Sequence, residues 1–393
     1  MKKLMVIAAL LVYMTGSAWA AAEWNFYGSA RVSTFYSEYK NNPFIAGTPD
    51  TDNFEMDNNG NARIGANIKV SDTLTARFEH GAKSGSANIR ILWGEWNFGA
   101  GSLGIGKNYT PLLMPYSNQV YNIFYKEDGD TNMSLFGMLY GKREAQVRLK
   151  FGNFQVALVQ PRTRVYCAPT GLGSGAPYYL MLDQPSTEVK LPNIQAKYKF
   201  EFDMGHVNLA AGYQTYDLLD AGESYDVTSW VLALGGRLNV GKAYFKGNVW
   251  GGTNVGNLAD ILVSGSITST VASVSSGDNL DGAGLGFARW SDGTMVGFGQ
   301  PARGLTDNDA LAGLIVAGYE IRKGLYVEAG YGYTRTELDV VGSEKDDAAT
   351  WYVQSTIFLA PGVFITPEVG GLDGKQTGDP EIFYAGIKWQ INF

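Results

Sequence analysis

Three carboxylates stand close together at Glu127, Asp128 and Asp130. They close a stretch that is otherwise apolar and aromatic (Pro111, Leu112, Leu113, Met114, Pro115, Tyr116, Tyr121, Phe124, Tyr125). A segment so apolar does not stay out in water. Folded back against a wall, it would bury its aromatics and hold its acids toward an aqueous space. Elsewhere, bases recur at alternate positions of strand-like segments. Arg31, Arg63, Arg77, Arg148 and Lys150 fall by parity on one face while apolar residues take the other. Acids held opposite bases across a narrow aperture with low-dielectric walls make a transverse field. Such a field orients water and polar solutes and raises the barrier for apolar ones. This is the chemistry of selection, in which no bond is made and no cofactor is required.

Covalent chemistry has little to stand on. His80 and His206, the two histidines, lie far apart, and neither has a serine and an acid beside it. Hydrolysis therefore lacks a base paired with a nucleophile. A single cysteine, Cys167, excludes an intrachain disulfide and reads as an incidental thiol in a Pro/Gly-rich stretch. There is no glycine-rich phosphate loop and no ligand-spaced Cys/His set. Asp50, Asp52, Asp57, Asn58 and Asn59 offer oxygens to a divalent cation, but the run reads as a polar loop over 39–59 and no metal site is assigned. A formal net charge of −7 argues against nucleic acid as a partner, because phosphate binding needs clustered Lys and Arg.

The elements that must position these residues are strands. Sixteen alternating segments are expected: 23–38, 60–70, 73–82, 88–98, 102–108, 142–151, 154–162, 188–202, 206–217, 228–240, 243–254, 308–320, 324–335, 349–359, 363–370 and 380–393. In 60–70, Ala62, Ile64, Ala66, Ile68 and Val70 oppose Arg63, Asn67 and Lys69. The segment 88–98 is ambiguous: Leu92, Trp96 and Phe98 fit the lipid side, but Ile91 and Trp93 then point inward. Seven connections are short and carry Gly, Asn or Asp, as tight hairpins need. The others, mostly longer, run 39–59, 83–87, 109–141, 163–187, 218–227, 255–307, 336–348 and 371–379. Short turns on one rim and long loops on the other describe a transmembrane antiparallel up-and-down β-barrel of sixteen strands. A further hairpin within 283–300 would make eighteen. The uncharged run 264–277 reads as a mobile outer loop.

Both ends of the chain agree. Lys2, Lys3, the apolar run Leu4 to Met14 and Ala18-Trp19-Ala20 form a secretory signal, expected to be cleaved after residue 20. Residues 21–393 would then be one barrel domain, two charges more negative than the whole chain. The last strand alternates Phe383, Ala385, Ile387, Trp389, Ile391 and Phe393 with a mostly polar face. An exported chain that ends on such a strand belongs in an outer membrane.

At this point a family resemblance becomes specific. Phe98-Gly99-Ala100-Gly101-Ser102-Leu103-Gly104-Ile105-Gly106-Lys107-Asn108-Tyr109-Thr110-Pro111 resembles the segment of Gram-negative general porins that climbs from a glycine-rich turn into the constriction loop. Tyr319 to Tyr326 is similar to the family's late hairpin, and Phe393 matches its terminal aromatic. The family usually has Arg where Lys107 stands, and Gly129 is a weak match to the loop tip. The resemblance implies a water-filled diffusion channel for small hydrophilic solutes, usually a homotrimer, in outer-membrane lipid and lipopolysaccharide. It also implies 109–141 as the inward-folding constriction loop, Lys107 among the wall bases, and Phe393 as a signal read by the barrel-assembly machinery.

Three other readings are weighed beside it. A substrate-specific channel for a small anionic or sugar-like solute would show saturable transport. A barrel enzyme would need a catalytic set that the two histidines do not supply. A structural barrel would need a plug, and the chain has no separate plug domain. Inward bases outnumber inward acids (Glu79, Glu95, Glu201, Glu328, Glu368), while the loop acids lean the other way. The sequence leaves the sign of selectivity open.

Overall fold

The computed structural model describes residues 22–40, 50–83, 86–123, 131–167, 186–220, 222–260, 289–291, 304–339, 345–375 and 381–393. Its strands, in chain order, are β1 (Glu23–Lys40), β2 (Asp50–Asn58), β3 (Arg63–Lys69), β4 (Leu74–Lys83), β5 (Ser86–Asn97), β6 (Ser102–Tyr109), β7 (Arg143–Phe151) and β8 (Phe154–Val159). They continue with β9 (Tyr166–Cys167), β10 (Ser186–Phe202), β11 (Gly205–Asp220), β12 (Glu223–Val240), β13 (Ala243–Thr253), β14 (Arg289–Ser291) and β15 (Gly304–Thr306). The last are β16 (Asn308–Arg322), β17 (Leu325–Leu338), β18 (Asp346–Ala360), β19 (Val363–Gly374) and β20 (Glu381–Asn392). All but β9, β14 and β15 form one antiparallel sheet that closes where β20 pairs with β1.

The closed sheet has sixteen staves. β2 lies beside Val32–Lys40 of β1, and β3 lies beside Glu23–Ser29 of the same strand, so the two are halves of one stave. Residues 59–62 interrupt it, with Ala62 donating its N–H to the Asn59 carbonyl at 2.8 Å. The Asp/Asn-rich run expected to be a loop is therefore largely strand. Pairing with β1 supplies the backbone partners that its composition alone disfavours. Residues 289–291, 304–306 and 166–167 form a separate three-stranded sheet, so the described part of 283–300 adds no barrel strand.

The seven short turns lie where the sequence puts them, and five of them hold a glycine at positive φ: Gly99, Gly152, Gly241, Gly324 and Gly362. Two connections expected to be longer are tight, because β4–β5 and β11–β12 stay paired almost to their ends. Outward faces are apolar: Leu92, Trp96, Leu232, Leu234, Phe383, Trp389 and Ile391 are all exposed. Such a belt, with aromatics toward both ends, is the lipid-facing surface of a transmembrane barrel.

Closure is tightest at the chain's end. Phe393 exchanges both backbone hydrogen bonds with Gly28, at 2.6 and 3.1 Å. Its ring covers the glycine so closely that an added Cβ would lie 2.3 Å from the ring edge. Gly28→Val is therefore expected to cost about 1–3 kcal/mol by overpacking. The check is the urea midpoint of the detergent-solubilised barrel, which should fall; an unchanged midpoint would contradict the packing.

Candidate functional site

The connection between β6 and β7 enters the lumen and packs on the wall. Leu112, Met114, Tyr116, Met133, Met138 and Leu139 are buried against Ala210, Val231, Ala233, Trp250, Ala312, Leu314 and Val316 of β11, β12, β13 and β16. Val120, Tyr121, Ile123 and Phe136 pack on Phe35, Tyr39, Ala348, Leu372, Ile382 and Tyr384. The tyrosines 121 and 384 stack with ring centroids 3.8 Å apart. Strands such as 230–234 (Trp-Val-Leu-Ala-Leu) are apolar on both faces for this reason: lipid covers one and the loop covers the other.

Two wall carboxylates hold the loop backbone. Glu328 of β17 accepts from the Asn118 N–H (3.1 Å), Asn118 Nδ2 (2.7 Å), Tyr244 OH (2.7 Å), Tyr352 OH (2.5 Å) and Lys246 Nζ (2.8 Å). Glu368 of β19 accepts from the Val120 and Tyr121 N–H groups (2.9 and 3.1 Å) and from Tyr384 OH (3.0 Å). Both acids are 4% exposed. Between them, Gln119 donates to Tyr384 OH at 2.9 Å and accepts from Met133 N at 2.8 Å, which ties the two limbs of the loop together. Gly137, at φ 105°, gives its carbonyl to Asn248 Nδ2 and Trp250 Nε1 and its N–H to Thr334 Oγ1. A side chain there would strike the Gly313 carbonyl at 2.6 Å.

The loop leaves open space along the other wall. On the loop side, a cavity of about 490 Å³ is lined by Arg31, Arg63, Arg90, Lys107, Lys142 and Arg143, with Asp260 the one carboxylate among its described lining residues. On the turn side, a cavity of about 560 Å³ is lined by Lys150, Lys197, Lys199, Arg237, Lys246 and His206 against Glu201. A third, of about 480 Å³, reaches Lys388 and Gln390. Arg31, Ser117 and Thr131 line both the first and the third, so the two spaces meet at these residues.

Most of these charges are braced. Glu79, fully buried, accepts from Arg90 Nε (2.7 Å), Arg77 Nη2 (3.0 Å), Arg63 Nη1 (3.5 Å) and Tyr27 OH (2.9 Å). One carboxylate thus gathers three guanidiniums. The Arg31 guanidinium donates to Ser29 Oγ and Asn61 Oδ1, each at 2.7 Å. At the loop's exit, Lys142 pairs with Asp260, and Arg162 bridges Glu144 and Asp260. Burial pushes the Lys142 ammonium below its ordinary pKa, and the Asp260 carboxylate pulls it partly back.

Solved structures share this architecture. The outer membrane channel DcaP of Acinetobacter baumannii matches with a TM-score of 0.64 at 17% identity, over 96% of this chain and 99% of that one. The anion-selective porin of Comamonas acidovorans matches at 0.52 and 11% identity, over 94% of this chain and all (100%) of the other. The fold is the porin fold. The trimer form of OmpT, an outer membrane protein of Vibrio cholerae, matches at 0.53 and 16% identity, over 95% of this chain and 100% of that one. No family model matches the chain, and no curated protein matches it in sequence.

Within this porin fold, the bases expected from sequence take four different places. Arg31, Arg63 and Lys107 line the loop-side cavity, and Lys150 lines the turn-side one. Arg77 braces Glu79. Arg148 lies over the Trp93 ring, 4.6 Å from its centroid. Gly106, at φ 124°, breaks the alternation that would otherwise leave Lys107 on the exposed face of Ile105. Glu127, Asp128 and Asp130, with Phe124 and Tyr125, lie outside the described residues, as do Ala18-Trp19-Ala20 and the run 264–277.

Strict parity misses Arg90. It is 2% exposed, because a bulge opposite Glu79 and His80 turns Arg90 inward beside Ile91. The signal is faint: Ile89, Leu92 and Trp96 are exposed, and only an extra residue between 89 and 92 lets all three face lipid. Also unread in the sequence are the loop-holding duties of Glu328 and Glu368, which look there like ordinary lumen acids.

Proposed function

We propose that this barrel is an outer-membrane channel for passive diffusion of ions and small hydrophilic solutes, and that it prefers anions. The observation that carries the reading is the set of cavities on the loop side and the turn side, lined by bases on a wall that the inward loop leaves free. A barrel of this size has room for water, and charges at the narrowest point decide which ions pass. In this reading the neck lies at Arg31, where two of these cavities meet. With Arg63, Lys107 and Lys150 on the wall, Glu127, Asp128 and Asp130 on the loop would set the transverse field across it. The acid-rich balance of the whole chain does not oppose this, because Asp50, Asp52, Asp220, Glu223, Glu337 and Asp339 lie toward the loop-side rim.

The reading includes removal of residues 1–20, a barrel over 21–393, and Phe393 as the signal for assembly. It assigns no catalysis. His80 follows Glu79 on the opposite face of β4, toward lipid, while His206 sits 3.4 Å from Tyr116 OH. A homotrimer is part of the same proposal. Asn58 pairs across from Val32, and His80 across from Ile64, which puts two polar side chains on the outer face of neighbouring staves. Lipid satisfies neither, and a neighbouring subunit would. Sedimentation of the detergent-solubilised protein at the mass of three chains supports the trimer; one chain overturns it.

Liposome swelling tests the channel itself. Vesicles carrying the protein should swell in small sugars and amino acids at rates that fall steeply with solute size. No swelling in any solute would remove the proposal.

A further inference from the structure

We propose that the edge of β2 turned away from β1 is a docking site for an extended segment of another protein, one that alternates apolar and basic side chains and joins the sheet as an added strand. The proposal concerns the barrel wall and does not rest on the channel reading. Three observations carry it.

The first is a strand paired on one side. β2 lies along β1 over its whole length, Asp50–Asn58 against Val32–Lys40. Asn59 donates its N–H to the Arg31 carbonyl at 3.0 Å, which fixes the phase of that ladder. Odd-numbered residues of β2 turn their backbone groups to β1, while Asp52, Phe54, Met56 and Asn58 turn theirs to the other edge. Along that edge, among the described residues, no strand pairs with β2. β4 reaches one step past β3, where Ala82 donates to the Ala62 carbonyl at 3.0 Å, and turns back into β5 after Lys83. Asn58 directs its own N–H to the Asp57 carboxylate at 2.7 Å, so the open run is Asp52, Phe54 and Met56. An open edge is a template for another chain, and lipid offers its backbone groups no partner.

The second observation is apolar exposure on the same run. Phe54 and Met56 are 67% and 69% exposed on the outward face, beside Tyr36 and Thr34 of β1. The third is charge. β2 carries Asp50, Asp52, Glu55 and Asp57 and no base. A guest strand that sets apolar side chains beside Phe54 and Met56 brings its alternate side chains beside Glu55 and Asp57, where bases are complementary. A second copy of this chain is a poor source of such a strand, because its segments 41–49, 168–185 and 261–288 contain neither Lys nor Arg. Backbone pairing supplies the hold, and the alternating side chains supply the selectivity.

The test is fluorescence anisotropy of a labelled peptide of alternating valine and lysine, nine residues long like β2, titrated with the detergent-solubilised protein. Saturable binding is expected. Methylating the valine amides removes the donors to β2 but keeps charge and side chains, and should weaken binding about tenfold or more. Phe54→Pro removes one outward N–H at the kind of sheet position that accepts proline. That barrel should fold and bind roughly five- to tenfold more weakly, whereas Phe54→Leu keeps the N–H and should bind like the wild type. Equal binding of the methylated and unmethylated peptides, or wild-type affinity in a folded Phe54→Pro, would reduce the contact to charge attraction and overturn the docking edge. Absence of binding overturns it too. Binding that emerges only once the protein is dissociated to single chains assigns the edge to a second copy, against the proposal.

Discussion

The double substitution Glu328→Gln, Glu368→Gln is expected to release the inward loop and widen the channel. Each carboxylate accepts from backbone N–H groups of the loop, and Glu328 also neutralises the buried Lys246. An amide keeps the shape but loses the charge and turns an NH2 toward groups that already donate. Removing one partner of a buried pair costs about 3–5 kcal/mol, and here the cost falls on the loop rather than on the strand ladder. The barrel should stay folded. Single-channel conductance should rise, its steps should become noisy, and larger sugars should pass in swelling assays. The apolar contacts of Leu112, Met114 and Met133 remain, so each single substitution should do less than the pair. Wild-type conductance and size limit in a folded double variant would show that the loop is held by apolar packing alone.

Arg31→Glu is expected to move the selectivity most. Arg31 lines both the loop-side cavity and the third cavity, where the proposed path joins them. The change replaces a positive charge by a negative one. At roughly 8 Å and a water-like dielectric of about 80, each unit is worth about 0.5 kcal/mol, so the reversal raises the anion barrier by about 1 kcal/mol and lowers the cation barrier by about the same. The anion-to-cation permeability ratio should fall roughly ten- to thirtyfold, read as a shift of reversal potential in a salt gradient. The shift should shrink as salt rises, because screening shortens to a few ångströms near 1 M. An unchanged reversal potential would place the controlling charges elsewhere, for instance on the loop acids.

How much of this was legible in the sequence differs by kind of feature. Alternation made the outward belt readable, because lipid demands an apolar side chain at every second position. Phe383 to Phe393 and 228–240 lie as the pattern requires. Hairpin turns were readable because Gly, Asn and Asp have local reasons to be there. Features that depend on distant partners were not. The run Asp50–Asn58 looks like a loop, and only the neighbouring β1 makes it a strand. Arg90 has the wrong parity until a bulge is inserted, and nothing local demands that bulge. Glu328 and Glu368 resemble any other lumen acid, since their partners sit some two hundred residues earlier in the chain. The doubly apolar runs 230–234 and 310–316 did carry a sign of the docking wall. A strand with lipid on one face and water on the other has no use for Val231 or Ala233.

In the proposed reading, an open lumen, narrowed by an inward loop beside a basic wall, favours anions. The most direct measurement is the reversal potential of the wild-type protein in a planar bilayer across a potassium chloride gradient. Stable ohmic steps with a potential of the sign set by chloride are predicted. A potential set by potassium, from a protein that conducts, would contradict the basic wall as the selecting element.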